Sequence, residues 1–342
     1  RLTVPALLCW RALAGAPSCL DGSGKEVDFW YIFGHPDGLQ YSYADSSRLA
    51  LSTPAGTLDS RSSALSRTLL QAYEKGVAYA MWNDEHPDGK KVGAPHAHAK
   101  GVVAFASTGG FWLTHSLPSF PQTVASGYDS SWEAAAHKFG QSYLCMSVGT
   151  AALQQVGSAM GTNWPSVYDF SAPGFADSAV PNFKSWTGGH HQAEPPTQVQ
   201  TIATRGGTDF LVFSKSAKFG KDLYADLVAP ELRAEMIAET WQNGIGDLAP
   251  ACKGKGGVGY SVMSSDAVSI DGKKWTDKQD HSKWAVTEKG TVFCVGDINR
   301  QSGQFKRGGG TVCLKDASFA RQMRKAVTAY QKCGDERLEV IV

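Results

Sequence analysis

Two short runs of the chain place a histidine and a lysine two positions apart: His98-Ala99-Lys100 and His281-Ser282-Lys283. Each opens a strand, a glycine-containing turn and a second strand. In the first copy these are Gly101 to Phe105, Gly109-Gly110 and Phe111 to His115; in the second they are Trp284 to Thr287, Lys289-Gly290 and Thr291 to Asn299. Alternate residues of a strand share a face, so each H-x-K presents an imidazole and an ammonium together. The return strands end in His115 in one copy and in Asp297 and Asn299 in the other, and a hairpin carries those groups back beside its own H-x-K. Two such faces brought together suit phosphoryl transfer. A neutral imidazole attacks phosphorus and forms a phosphohistidine. A protonated one donates to the leaving oxygen and then acts as base on water. The lysines and Asn299 hold the non-bridging oxygens. That scheme asks for no metal and no cofactor. The two histidines titrate jointly, so activity peaks at mildly acid or neutral pH.

Other readings of the same residues stay open. One H-x-K arises easily by chance, and two unrelated hairpins with solvated lysines and core-lining histidines would give the same pattern. A metal site is the rival chemistry: His96 and His98 form an H-x-H, His115 offers a third ligand, and Asp84, Glu85 and His86 lie close in sequence. It leaves the second H-x-K unexplained. Candidates for holding substrate are Lys215 and Lys218, Arg307 ahead of Gly308-Gly309-Gly310, and His190 of the His190-His191 pair. The lysines read equally as a solvated face and the histidine pair as a loop feature. Arg307 and its glycines lack the strand–GxxxxGK[ST]–helix context of a P-loop.

The 342 residues are enough for one large domain or two closely packed halves. The net charge is +1, so nucleic-acid binding must rest on a local basic groove. Nine histidines add positive charge as pH falls toward about 5. Seven cysteines contain no C-x-x-C pair, which argues against a zinc knuckle; six widely spaced ones suggest three disulfides, an odd Cys9 and an oxidising compartment. Buried free thiols are the alternative. Residues 1–18 read either as the tail of a secretory signal, with Ala14-Gly15-Ala16 before Pro17, or as an ordinary N-terminal segment. No later apolar run approaches a membrane span, and the chain holds no N-x-S/T sequon.

The elements that must position these groups alternate between strands and helices, which favours an α/β fold of two similar halves packed face to face. Strands are expected at Asp28–Phe33, Val77–Trp82, Ser142–Val148, Thr208–Ser214 and Tyr260–Met263. Helices are expected at Ser62–Glu74, about Pro230–Trp241, and from Asp316 onward with Phe319, Met323, Val327 and Tyr330 on one stripe. Residues 154–200, rich in Gly, Pro and Ser, are read as the seam. The halves are then 19–165, with His98 and Lys100, and 166–342, with His281 and Lys283.

Taken together, the stretches His281-Ser282-Lys283-Trp284, Cys294 to Arg300 and Arg307 to Cys313 closely resemble the C-terminal signature of the deoxyribonuclease II family. His98 to Gly101, Gly110 to Ser116, Gly140 to Cys145, Gly189-His190-His191 and Lys215 to Tyr224 match in the family's order, over about residues 19 to 333. The resemblance implies a phospholipase D-like fold of two α/β halves, each giving one H-x-K to a shared site. It implies an acid endonuclease that cuts DNA without metal through a phosphohistidine, leaving 3′-phosphate and 5′-hydroxyl ends. His98, Lys100, His281 and Lys283 fall on the motif residues, with His98 as the nucleophile and His281 as the acid; His115, Asp297 and Asn299 are supporting groups. It pairs Cys19 with Cys145, Cys252 with Cys333 and Cys294 with Cys313, and places the protein in a secreted or lysosomal compartment.

Two departures matter. Ala106 and Thr108 stand where the family pattern has acidic residues, and if those orient the first histidine, that half is weakened. The missing sequons separate the chain from the family's glycosylated animal members. A DNA-binding relative with little or no catalysis, and a phosphodiesterase or phospholipase of the same superfamily, are the alternatives. Few aromatic residues look free to face a cleft, so contacts with DNA are expected along its backbone, with little sequence specificity. The protein is expected to act as a monomer or a homodimer.

Overall fold

The computed structural model describes residues 15–129 and 138–334; the reading of residues 1–14, Cys9 included, lies outside them. Two large sheets make the frame. The first holds β3 (Phe29–Gly34), β4 (Tyr41–Asp45), β5 (Arg48–Ser52), β6 (Ala78–Trp82), β7 (Gly101–Ala106), β8 (Gly109–His115), β9 (Gln141–Gly149) and β10 (Val167–Ser171), in the order β10-β6-β7-β8-β9-β3-β4-β5. A small ladder of β1 (Cys19–Leu20) and β2 (Glu26–Val27) precedes it. The second sheet runs β11 (Thr197–Ala203), β12 (Asp209–Lys215), β18 (Gly309–Leu314), β17 (Phe293–Gly296), β16 (Trp284–Thr287), β13 (Met236–Glu239), β14 (Val262–Ile270) and β15 (Lys273–Thr276), with β19 (Val327–Tyr330) on β14. Most ladders are antiparallel; β13 and β14 pair in parallel. This is the α/β fold of two similar halves, though hairpins dominate its connections.

The halves correspond around the motif strands. In each sheet the strand after an H-x-K lies between an earlier strand and its own hairpin partner: β6-β7-β8 in one, β13-β16-β17 in the other. The sheets pack face to face over the largest core cluster, which draws Tyr31, Trp112 and Met146 from the first and Phe210, Trp284 and Phe293 from the second. Tyr31 meets the Phe293 ring edge-on at 5.4 Å and stacks on Phe319 at 4.8 Å. Phe319 lies on helix α3 (Ala317–Ala326), capped by the Asp316 carboxylate, which accepts from the Phe319 amide at 2.8 Å. Helix α1 (Ala64–Leu70), capped by Ser63, covers the outer face of the first sheet with Leu65 and Leu69. Helix α2 (Thr150–Asn163) fills the space beside β8, β9, β11 and β12.

Several expected elements differ. The helix expected at Pro230–Trp241 stops after Leu232, because Arg233 turns left-handed at φ 52°; Met236, Ile237 and Ala238, buried on both faces, then form a central strand. The last helix ends at Ala326, and Val327 to Tyr330 turns into β19. Residues 150–163 form α2 where the seam was expected: Leu153, Val156 and Met160 share its buried side with the small residues Ala152, Gly157 and Ala159 and the polar Thr162 and Asn163, and that mixture makes the periodicity faint. Residues 167–171, assigned to the second half on sequence, pair with β6 and close the first sheet, so the crossing between sheets falls later than 165/166. The disulfides are Cys19–Cys145, Cys252–Cys333 and Cys294–Cys313, as the resemblance implied, and they suit an oxidising compartment. Among the described residues no helix is long and apolar enough to cross a membrane.

Glu239, at the end of β13, is fully buried. Burial first, and the Asp280 carboxylate second, push its carboxyl well above the ordinary value. A folded pKa raised in this way gives stability that is complete below the unfolded pKa and lost as pH rises. Glu239→Gln should therefore melt with the wild type near pH 4, at about the unfolded value, and a few degrees above it near pH 8. Melting curves across that range check this; a variant less stable at every pH contradicts it.

Candidate active site

The two H-x-K motifs sit in irregular backbone immediately ahead of β7 and β16, with His98 in a bend, where the sequence suggested that each opens a strand. The hairpin ladders reach back to them: the His115 amide donates to the Lys100 carbonyl at 3.1 Å, and the Gly296 amide to the Lys283 carbonyl at 2.8 Å. Each motif is then fastened to the opposite half. The His98 amide donates to the Gly308 carbonyl at 3.0 Å, and the His281 amide to the Gly140 carbonyl at 2.8 Å. Both acceptors are glycines for a steric reason. A Cβ on Gly308 would lie 1.9 Å from the Asn163 carbonyl oxygen, and one on Gly140 would lie 2.7 Å from Asp280 Oδ1.

Side chains repeat the exchange. Arg307, from the second half, donates to Asp84 at 3.0 Å and to the carbonyls of His96, Val92 and Ala97 at 2.9 to 3.1 Å. His281 Nδ1 lies 3.0 Å from the Ser116 carbonyl, and the Lys283 amide donates to the Ser142 hydroxyl at 3.2 Å. Thr114 donates to Asp297 at 3.2 Å across the same seam. A carbonyl only accepts, so His281 Nδ1 carries the proton and Nε2 is left with its lone pair.

The charges are buried and unequal. Asp84 bonds the Lys100 ammonium, faces His98 Nε2 at 3.7 Å and takes the Arg307 guanidinium. Burial pulls its carboxyl up, but Lys100, then His98 and Arg307, outweigh burial and hold it well below the carboxylate range. His98 is pushed well below its ordinary pKa by burial; Asp84 opposes this, and Lys100, Lys283 and Arg307 add to it. Burial, Lys283, Lys100 and His98 all push His281 down, and no carboxylate is prominent against them. Lys283 is lowered to about 7, by burial and then by Lys100. Asp297 is raised to about 7 by burial, against the Gly310 amide, the Thr114 hydroxyl and the two lysines. Two imidazoles and two ammoniums from the two halves thus share one electrostatic centre. Its surplus of positive charge suits an anionic group with several oxygens.

The deoxyribonuclease II family model matches residues 18–333. The chain belongs to the deoxyribonuclease II family. It is 32% identical to Deoxyribonuclease-2-alpha of Rattus norvegicus, over 97% of this chain and 100% of that one. It is 32% identical to Plancitoxin-1 of Acanthaster planci, over 93% of each, and 30% identical to Deoxyribonuclease-2 of Caenorhabditis elegans, over 92% and 94%.

In this deoxyribonuclease II-family site the expected supporting groups divide. Asp297 lies at the seam. Asn299 is buried, with its Oδ1 lacking a hydrogen-bond partner among the described residues. His115 is packed between Phe120 and Tyr143 and lowered to about 3 by burial and then Lys100, so it lines the core behind the site. The substrate candidates change role. Lys215 is buried and donates to the carbonyls of Gln304 and Arg307, so it supports the Arg307 loop; burial lowers it to about 8. Lys218 forms an exposed ion pair with Glu194 at 3.0 Å. Arg307 is spent on the cross-half clamp, and the amides expected to cradle phosphate are engaged, Gly308 with Pro95 and Gly310 with Asp297. His190 is exposed, on a loop beside α2.

The ligands of the rival metal reading do not gather. His86 bonds Ser166, His96 lies on Trp164 and His115 sits in the core; among the described residues no three His, Cys, Asp or Glu side chains converge. Ala106 ends β7 and Thr108 lies in the turn beyond it, with the strand's length of about 16 Å between them and the end that His98 precedes, so they do not orient it. Asp84 stands beside His98 instead. Sequence reasoning met Asp84 only as a possible ligand; its placement straight after the buried strand β6, with Asn83 holding the Leu117 and Phe120 carbonyls, is the signal available.

Gly308→Ala should force the halves apart. It should cost about 2–3 kcal/mol and speed amide exchange at His98 more than at His281. Gly140→Ala, which meets a side chain, should cost less and show the reverse exchange pattern. Denaturation and hydrogen exchange check this; unchanged protection in both variants contradicts it.

Proposed function

We propose that the chain is a deoxyribonuclease that cleaves DNA phosphodiester bonds without a metal, through a phosphohistidine on His281. The observation that carries this reading is the meeting of both H-x-K pairs in one buried, cation-rich centre, with His281 Nε2 left unprotonated by the Nδ1 bond to Ser116. His281 Nε2 attacks phosphorus, and the bond from phosphorus to O5′ breaks. His98, the imidazole beside a carboxylate, gives its proton to O5′ as a 5′-hydroxyl. Water then attacks the phosphohistidine, His98 takes its proton, and a 3′-phosphate leaves. Lys100 and Lys283 hold the non-bridging oxygens. Asp84 keeps His98 chargeable, Arg307 holds Asp84, and Asp297 and Asn299 support the lysine side of the centre. This exchanges the roles expected from the sequence, where His98 was the nucleophile.

One chain supplies both halves, so a monomer suffices. Contacts with a run of phosphates give little sequence specificity. An acidic oxidising compartment, lysosomal or extracellular, fits the chemistry: one histidine must be charged and the other neutral, and both are lowered by burial. The anionic substrate offsets part of that lowering.

Plasmid nicking in excess EDTA tests the reading. The wild type should give a bell-shaped kcat/KM profile lying below about pH 6.5, the ordinary histidine value. His98→Ala and His281→Ala should each lose roughly 10³-fold or more. Asp84→Asn removes the group that raises His98, so its alkaline limb should move to lower pH. Activity abolished by EDTA and restored by a divalent cation would overturn the proposal, as would DNA binding without nicking.

A further inference from the structure

Trp164 follows α2 in the left-handed conformation, φ 58° and ψ 62°, where glycine is the usual residue. Its indole is held between two imidazoles. The His191 ring stacks on it at 3.6 Å and 6°, nearly parallel, and the His96 ring lies over it at 4.2 Å and 41°. Three bonds fix the arrangement: Trp164 Nε1 donates to the Gly189 carbonyl at 2.9 Å, the Gln192 amide to Gly161 at 2.8 Å, and the His190 amide to Ser185 at 3.0 Å. His191 is exposed, so the stack ends in an open ring. That ring borders a groove of about 490 Å³ whose wall carries Gln154, Ser158, Asn182, Gln192 and His190.

The stack is tied to the reacting centre through the backbone. The Trp164 carbonyl accepts from the Ala97 amide at 2.9 Å, one residue before His98, and Arg307 holds the Ala97 carbonyl. Asn163, one residue before Trp164, is the group against which Gly308 is pressed.

We propose that the His96–Trp164–His191 stack is a nucleobase subsite: a base of the substrate strand, next to the scissile phosphate, lies on the open face of His191 with its edge toward the amides and hydroxyls of the groove. The inference rests on the nuclease reading above for the identity of the strand. It makes the contact with DNA partly one of base stacking, where the sequence suggested backbone contacts more than stacking. A flat ring accepts every base, so the subsite adds affinity and register without selecting sequence. It acts on binding and positioning and touches no reacting atom.

The test compares His191→Ala, His191→Phe and Trp164→Leu with wild type on an oligonucleotide and on bis(p-nitrophenyl) phosphate, a diester without a base. Loss of one stacked base should raise KM for the oligonucleotide roughly tenfold in His191→Ala, with kcat nearly unchanged. His191→Phe, which keeps a flat ring, should restore most of it. Turnover of the small diester should be unaffected by either His191 variant. An oligonucleotide with one abasic residue beside the cleaved bond should lose the same factor on wild type and nothing more on His191→Ala. Equal losses on the two substrates mean that the stack only ties the loop to α2, and overturn the proposal. So does weaker binding that ignores the abasic change, which would mean contact with phosphate alone. Affinity for an uncleavable phosphorothioate strand, read by fluorescence anisotropy, separates the two ideas. If the strand binds in a His191-dependent way and the natural strand is not cut, the nuclease reading fails and the subsite stands. If DNA is cut and His191→Ala binds like wild type, the subsite fails alone.

Discussion

Two reciprocal backbone hydrogen bonds hold this site together. Each H-x-K histidine gives its amide to a glycine carbonyl of the other half, His98 to Gly308 and His281 to Gly140. Neither hairpin can form the centre alone, because each contributes one imidazole and the other imidazole lies across the seam. There is no room at either glycine for a methyl group, which would strike the Asn163 backbone at Gly308 and the Asp280 side chain at Gly140. The aromatic core between the sheets, from Tyr31 to Phe293 and Phe319, sets the spacing at which both bonds can be made. Arg307 then reinforces one side with donors to Asp84 and three carbonyls, and Ser116 and Ser142 reinforce the other.

That geometry fixes the electrostatics. Bringing the halves together puts Lys100 and Lys283 near each other in a buried space, and their repulsion adds to desolvation in lowering Lys283 to about 7. Asp84 offsets Lys100 and Arg307; Asp297, itself raised to about 7, is a weak counter-charge for Lys283. The protein's own groups therefore leave the centre short of negative charge, which a phosphodiester would supply. On the proposed mechanism, acid pH serves the same arrangement: it keeps Lys283 charged and lets one of two strongly lowered imidazoles hold a proton. The asymmetry between the imidazoles comes from their neighbours, a carboxylate for His98 and a peptide carbonyl for His281.

Much of this was legible in the sequence because it is local. Period-two hydrophobic runs after each H-x-K gave the hairpins, and the polar return ends gave Asp297. What escaped depends on contacts between residues far apart in the chain. Lys215 reads, with Lys218, as part of a solvated face, yet the fold closes the Arg307 loop over it. Arg307 and its glycines read as a phosphate cradle, whereas β18 and the clamp consume their donors. Asp84 carries only a faint local mark, its place straight after the buried strand β6, and nothing local joins it to Lys100 and Arg307. Met236 and Ile237 fit a helical stripe as well as a strand, and the left-handed turn at Arg233 decided between them. Trp164 lay in a stretch without periodicity, so nothing in the sequence showed that its ring would be stacked between two histidines.

The central claim is that His281 takes the phosphoryl group while His98 moves the proton. Rapid acid-free quenching of the wild type during turnover of a 5′-end-labelled strand, whose labelled fragment is the one that stays on the histidine through its 3′-phosphate, followed by peptide mapping under alkaline conditions where phosphohistidine survives, measures it directly. The account predicts a phosphorylated peptide that contains His281, and its accumulation when the water-activating step is slowed in a His98→Ala protein given a substrate with a good leaving group. A label on His98, or turnover with no covalent intermediate on either histidine, would contradict it.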